Sequence, residues 1–153
     1  MKIAFLIISS LCLCNSSAGV DTLTPDQKVI AMTILGEARG EGYAGMYAVA
    51  CVIQQRMKER NKTGAQVCLK NNGKVWQFSC WNPNDPNRRK LTHLLNTPEG
   101  YWAKRIAVNI GKLNSNYVKQ ANHYCNIKSK PYWAKNKKPI IIIGDHKFYR
   151  LGK

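Results

Sequence analysis

The sequence predicts a single, mainly helical (α+β) domain that ends in a small β-hairpin or an irregular aromatic stretch. Three observations carry this. The chain has 153 residues, the length of one ordinary domain, enough to bury a core without depending on disulfides. Helix-start signals stand at Thr24 and Thr97, each followed by a proline and an apolar run with helical spacing. The last third instead carries aromatic pairs and the run Ile140–Ile143 ahead of Gly144-Asp145, a turn signal between short strands.

The elements follow in order. Met1-Lys2 is a positive start, Ile3–Leu13 is apolar apart from Ser9 and Ser10, and Ser16-Ser17-Ala18 supplies small residues. Residues 1–18 therefore read as a secretory signal peptide, too short an apolar run for the roughly 20 residues of a membrane span. Residues 19–153 are then the domain, expected outside the cytoplasm (secreted or periplasmic) with no stable membrane insertion. Thr24-Pro25-Asp26-Gln27 offers an N-cap, a proline at the first helical position and a glutamine for a capping box. That helix should run from Pro25 to about Ala38, with Gly40 and Gly42 ending it. A second helix should run from about Tyr43 to Glu59, its small residues allowing close packing on the first. Asn61–Asn87 should be mostly loop, broken by Gly64, Gly73, Pro83 and Pro86. A short helix is expected near Lys90–Leu95. Another should run from Thr97 to about Ile110, with Trp102, Ile106 and Ile110 on one face.

Four cysteines lie beyond residue 18: Cys51, Cys68, Cys80 and Cys125. In an oxidising compartment they allow three pairings. Cys51 sits in a helical run and reads as a small buried hydrophobe. Cys68 and Cys80 flank a short Asn/Gly-containing loop and are the favoured disulfide.

Composition narrows the function. The formal charge is +16, and removing residues 1–18 lowers it by one, through Lys2. Such a charge predicts an anionic partner; nucleic acid, an anionic membrane and bacterial cell wall all qualify. Neither G-x-G-x-x-G nor G-x-x-x-x-G-K-[ST] occurs, so the nucleotide-binding motifs are missing.

Carboxylates are scarce, only eight in all, so each is informative. Asp21 and Asp26 fit a terminus or a helix cap, Glu59 and Glu99 exposed helix positions, and Asp85 a turn. Glu37, Glu41 and Asp145 are left. Glu37 closes an apolar helix, where the negative end of the helix dipole and apolar neighbours both favour the protonated acid. Such an acid can protonate a leaving oxygen; the plainer reading is an exposed side chain beside Arg39. Glu41 suits a structural ion pair. His123 and His146 suit a ribonuclease-like acid/base pair, a metal site with Cys125, or, the commoner role, hydrogen-bonded residues of a cleft wall. His93 fits a helix surface. Cys80 beside Trp81 could be a nucleophile, although a disulfide is the commoner fate. Trp76, Phe78, Trp81, Tyr124, Tyr132, Trp133 and Tyr149 could stack on sugars or bases, or fill a core.

Taken together, the motifs resemble a known family. Ile34-Leu35-Gly36-Glu37-Ala38-Arg39-Gly40-Glu41, followed by Gly45-x-x-Ala48-Val49-Ala50-x-Val52-Ile53-x-x-Arg56, resembles the opening motif of the SleB-type cell wall hydrolases, the spore cortex-lytic enzymes and their relatives. Gln77-Phe78-Ser79-Cys80-Trp81-Asn82 is similar to the second motif. Asn122-His123-Tyr124 is similar to the third, with Asn122 where the family usually has Thr. Pro131-x-Trp133 and Ile143-Gly144-x-His146-x-Phe148-Tyr149 are similar to its ending. The resemblance spans about Val29–Arg150. It implies a lysozyme-like domain that cleaves the β-1,4 bond between N-acetylmuramic acid and N-acetylglucosamine in peptidoglycan, with Glu37 as the catalytic acid. It further implies a cleft lined by Gln77, Phe78, Ser79, Trp81, His123, Tyr124, Trp133, His146 and Tyr149. No cofactor or metal is required by this chemistry. The expected partner is the glycan strand, with no nucleic acid, and a monomer is the default. The shortage of carboxylates and the resemblance favour a lytic transglycosylase giving 1,6-anhydro ends over a muramidase, which needs a second carboxylate such as Asp145 or Glu41. The rival readings from other classes are a non-catalytic wall-binding module and a basic nuclease using His123 and His146.

Overall fold

Helix α1 (Pro25–Ala38) begins where its cap predicts. In this computed structural model, which describes residues 22–152, Thr24 Oγ1 accepts the Gln27 N–H at 3.2 Å and Gln27 Oε1 accepts the Thr24 N–H at 2.9 Å. The reciprocal box satisfies two otherwise orphaned donors. The expected signal peptide over 1–18 lies outside the described residues. A 3₁₀ turn, Arg39–Glu41, follows α1, and Gly42 at φ +66° turns the chain into α2 (Gly42–Arg60). That backbone region is open to glycine at little cost.

Helix α1 is the axis of the domain, contacting α2, α3 (Gly64–Cys68), α4 (Leu91–Leu94) and α5 (Pro98–Val108). Its Ile30, Ile34 and Leu35 are completely buried, and each such side chain contributes about 1.5–3 kcal/mol. That outweighs the roughly 1 kcal/mol that Gly36 costs inside a helix. Gly36 is needed there, because a Cβ would collide with the side chain of Cys80.

Three expectations are corrected. The stretch Asn61–Asn87 is not loop throughout, since it contains α3. Thr63 and Gln66 form a second capping box, and Asp26 Oδ1 accepts the Ala65 N–H at 2.7 Å, so the first helix caps the third. On α5 the buried face is Gly100, Ala103, Ile106 and Ala107, whereas Trp102 is 45% exposed. Small residues face inward because Gly100 lies against the backbone of Leu94 and Leu95. The expected Cys68–Cys80 disulfide is not formed: both are free thiols, fully buried. Cys68 meets α1 at Thr33 and Cys80 meets it at Gly36, one turn on. Each fills its own gap as a small hydrophobe. Burial pushes the Cys68 thiol up to about 12.

The expected hairpin is β2 (Ile141–Ile143) and β3 (His146–Tyr149), joined at Gly144 with φ +53°. A further strand, β1 (His123–Asn126), pairs antiparallel with β3, giving the order β1-β3-β2. The register sets His123 opposite Tyr149 and Asn126 opposite His146. Phe148 is fully buried and pins the sheet to α2 through a second core with Cys51 and Val52.

Candidate active site

Glu37 is the last residue but one of α1, and three donors converge on it. Tyr124 O–H on β1 donates to Oε2 at 2.8 Å; the Cys80 N–H and Ser79 O–H donate to Oε1 at 2.9 and 3.2 Å. The apolar surroundings expected from sequence are thus replaced by a polar cradle, drawn from the 3₁₀ turn Ser79–Trp81 and from β1. The cradle is possible because Gly36 lets that turn approach α1 closely. Burial first, then the Glu37 charge and hydrogen bond, push the Tyr124 hydroxyl well above its usual range, partly opposed by Arg56. Tyr124 therefore remains a donor at all ordinary pH. The same influences raise the Cys80 thiol strongly, which removes it as a thiolate nucleophile.

Glu37 stands where two cavities meet. One, of about 480 Å³, runs towards Gln77, Ser79 and Trp133; the other, of about 360 Å³, runs along Arg39–Glu41 towards Asp145. A larger cavity of about 590 Å³ beside α3 is lined by no carboxylate or histidine, so shape alone does not mark the chemistry.

The other acidic side chains have different duties. Glu41 Oε1 lies 2.6 Å from His146 Nδ1, and its Oε2 accepts the Asp145 N–H at 3.0 Å. The His146 approach is a close contact without hydrogen-bond geometry at Nδ1. Through His146 and the Asp145 N–H, Glu41 ties the turn after α1 to the β2–β3 turn. The His146 ring also meets Tyr124 edge-on at 4.9 Å. Glu59, expected to be merely exposed, instead receives Gln55 Nε2 at 3.0 Å, Asn122 Nδ2 at 3.0 Å and Arg150 Nη1 at 2.7 Å. Asp85 caps a turn, as expected, accepting the Asn87 N–H at 2.8 Å.

Of the sequence-derived site residues, Glu37, Gln77, Ser79, Tyr124, Trp133 and His146 line one cleft. Phe78 and Trp81 do not. Phe78 is 1% exposed beneath it, and Trp81 Nε1–H donates to Thr33 Oγ1 at 2.9 Å in the core. Three residues apart across a 3₁₀ turn, the two side chains fall on the same side of it, and that side is buried, so they anchor the turn. His123 lies behind the cleft, its Nδ1 2.9 Å from Asn122 Oδ1. Burial, then the charges of Arg56 and Arg60, push its pKa down to about 4, so it is neutral near pH 7. Tyr149 is buried against Trp133, their rings 5.3 Å apart. Among the described residues no group of three or more His, Cys, Asp or Glu converges to hold a metal; the His123, Cys125 and His146 set is not assembled.

Arg56 is the residue that sequence reasoning passed over. It ends the opening motif, which was the available signal. It is 6% exposed, its Nε–H donates to the Asn122 carbonyl at 2.7 Å, and its guanidinium lies 5.1 Å from the Phe78 ring centroid. Nη1 has no partner, and the side chain reaches the Glu37 cleft. Burial lowers its pKa, with Tyr124 and Glu37 pulling the other way. It places positive charge behind the carboxylate.

Comparison with known proteins gives the fold and the family. The structure is similar to the catalytic domain of the germination-specific lytic transglycosylase SleB from Bacillus anthracis, with 24% identity and a TM-score of 0.61, over 84% of this chain and 96% of that one. It is also similar to the catalytic domain of the Bacillus cereus SleB protein, with 25% identity and a TM-score of 0.58, over 80% of this chain and 88% of that one. The fold is the lysozyme-like, mainly helical one. A search of curated proteins finds no match. The family profile described as Cell Wall Hydrolase matches residues 40–149, starting just after Glu37. A match over most of the chain shows that the protein belongs to the Cell Wall Hydrolase family.

Proposed function

We propose that the protein cleaves the β-1,4 bond between N-acetylmuramic acid and N-acetylglucosamine as a lytic transglycosylase, with Glu37 as its single acid/base. The protonated Glu37 carboxyl gives its proton to the glycosidic oxygen as the C1–O bond breaks. The resulting carboxylate, held by Tyr124, Ser79 and the Cys80 N–H, then takes the proton of the muramic C6 hydroxyl. The C6 oxygen attacks C1 and closes a 1,6-anhydro ring. Glu37 ends protonated, the leaving sugar holds a free hydroxyl, and no water is consumed.

The observation that carries this reading is the fate of Glu41. A hydrolase needs a second carboxylate, about 5–5.5 Å away for retention or 6.5–9.5 Å for inversion. Glu41 has one oxygen against His146 and the other on the Asp145 N–H, leaving it poorly disposed to activate water. The description of the Bacillus anthracis neighbour as a lytic transglycosylase supports the same route.

The test digests purified peptidoglycan with wild type and Glu37→Gln and analyses the products by mass spectrometry. Wild type should release anhydro-muropeptides and the variant, still folded, none. Reducing-end products would mean a muramidase, with exposed Asp145 as the next carboxylate to replace. An equally active variant would remove Glu37 from the mechanism, and absence of any cleavage would move wall binding to the front.

A further inference from the structure

The segment between β1 and β2 concentrates charge. Residues 127–140 contain Lys128, Lys130, Lys135, Lys137 and Lys138 and no acid. All five are exposed, and none is in an ion pair among the described residues. Lys130, Lys135 and Lys137, together with Lys147 from β3, line a cavity of about 480 Å³ beside Tyr132, which is 91% exposed. Lys147 Nζ donates to the Ser129 carbonyl at 3.0 Å, which fixes one side of it. Asp145, the one acidic residue after Glu99, does not line this cavity. Like charges gathered in a concave site without counter-charge create a field that favours an anion.

Position then narrows the anion. Ser129 and Pro131 line both this cavity and the Glu37 cleft, so the two are separated by a wall three residues long. A polymer lying in the cleft needs only a short side branch to reach the lysines. The peptide stem of peptidoglycan is such a branch: it hangs from the muramic sugar and carries carboxylates.

We propose that the Lys130/Lys135/Lys137 cavity is a subsite for stem-peptide carboxylates, placing a stem-bearing muramic sugar at Glu37. This rests on the function proposed above. It assigns stem recognition to the β1–β2 loop and glycan contact to the cleft.

The test measures binding to peptidoglycan immobilised through the reducing ends of its glycan strands, so that the strands stay in place when stems are removed, using protein that carries Glu37→Gln so that nothing is cut. Lys130→Gln/Lys135→Gln/Lys137→Gln is compared with Lys62→Gln/Lys112→Gln/Lys119→Gln, which removes equal charge elsewhere. The substrates are peptidoglycan stripped of phosphate polymers, the same material with stems removed by an amidase, and unstripped wall. Each exposed ion pair is worth about a factor of two, so the cavity variant should bind stem-bearing peptidoglycan about tenfold more weakly. It should bind stem-free glycan as the parent does, and the control variant should stay within about twofold on both. Equal losses on both substrates, no loss on stem-bearing material, or a loss confined to wall that keeps its phosphate polymers would each overturn the assignment. Unchanged thermal unfolding confirms that the variants are folded. Because binding is read without cleavage, failure of the transglycosylase reading would appear separately, in the digestion products of the wild type.

Discussion

Replacing Tyr124 with phenylalanine removes a single oxygen from the Glu37 cradle. The ring is held independently, 4.9 Å from His146, 5.8 Å from Phe148 and 6.3 Å from Phe78, so packing should survive. The lost contact is a hydrogen bond of 2.8 Å to a carboxylate. Bonds to charged groups contribute about 1.5–3 kcal/mol, and full expression in the transition state corresponds to roughly ten- to hundredfold in rate. Two donors, the Cys80 N–H and the Ser79 hydroxyl, stay on the other oxygen. The loss should therefore fall near the lower end, about tenfold in kcat with KM nearly unchanged. The assay is the initial rate of soluble muropeptide release from purified peptidoglycan, beside a thermal melt. Wild-type kcat in the variant would refute the claim that this hydroxyl orients the acid. A melting temperature lower by much more than about 4 °C, the equivalent of roughly 1 kcal/mol in a domain of this size, would show that it acts through the fold.

Glu59 and His123 give predictions about pH. Burial works against the Glu59 charge, but hydrogen bonds from Gln55 and Asn122 and the charges of Arg150 and Arg60 outweigh it and lower its pKa. Its contribution to stability is therefore complete above the ordinary glutamate range and lost as pH falls through the lower folded value. Denaturant unfolding at pH 7 and pH 3 should show a smaller pH dependence in Glu59→Gln than in wild type; equal dependence would refute it. His123, pushed down to about 4, binds its proton more readily in the unfolded chain. It should cost stability progressively as pH falls from its ordinary value of 6.5 towards 4. A proton-NMR titration should place its midpoint near 4 and find it neutral at pH 7, and His123→Ala should retain lytic activity. A midpoint near 6.5 would contradict the buried placement.

Legibility from sequence followed locality. The cap at Thr24 and the ending at Ala38 were readable because capping is written within four residues. The same signal, Thr63 to Gln66, lay in the presumed loop, but the glycine of Gly64 reads as a breaker until Ile30 is seen packed against it. The hairpin β2–β3 is adjacent in sequence and was legible; β1, some fifteen residues earlier, joins it through a pairing that no local pattern announces. At the site, the resemblance selected Glu37, Ser79 and Tyr124, whose side chains do meet. It also selected Phe78 and Trp81, because a motif records which residues matter without recording whether they face a substrate or the core. The disulfide expectation failed for a related reason. Loop spacing suggested proximity, whereas the two thiols serve successive turns of one helix.

Glu37 rides on α1, against which the other described α-helices pack, while one wall of its cleft, at Ser129, Pro131 and Trp133, comes from the connection between β1 and β2. Redesign of this scaffold has a built-in division of labour. The acid cannot be repositioned without rebuilding the core and the 3₁₀ turn that holds it, but the 127–139 connection can be exchanged with little effect on it. Libraries confined to residues 127–139, with α1 held constant, should yield variants whose wall preferences diverge while their bond-breaking step stays the same.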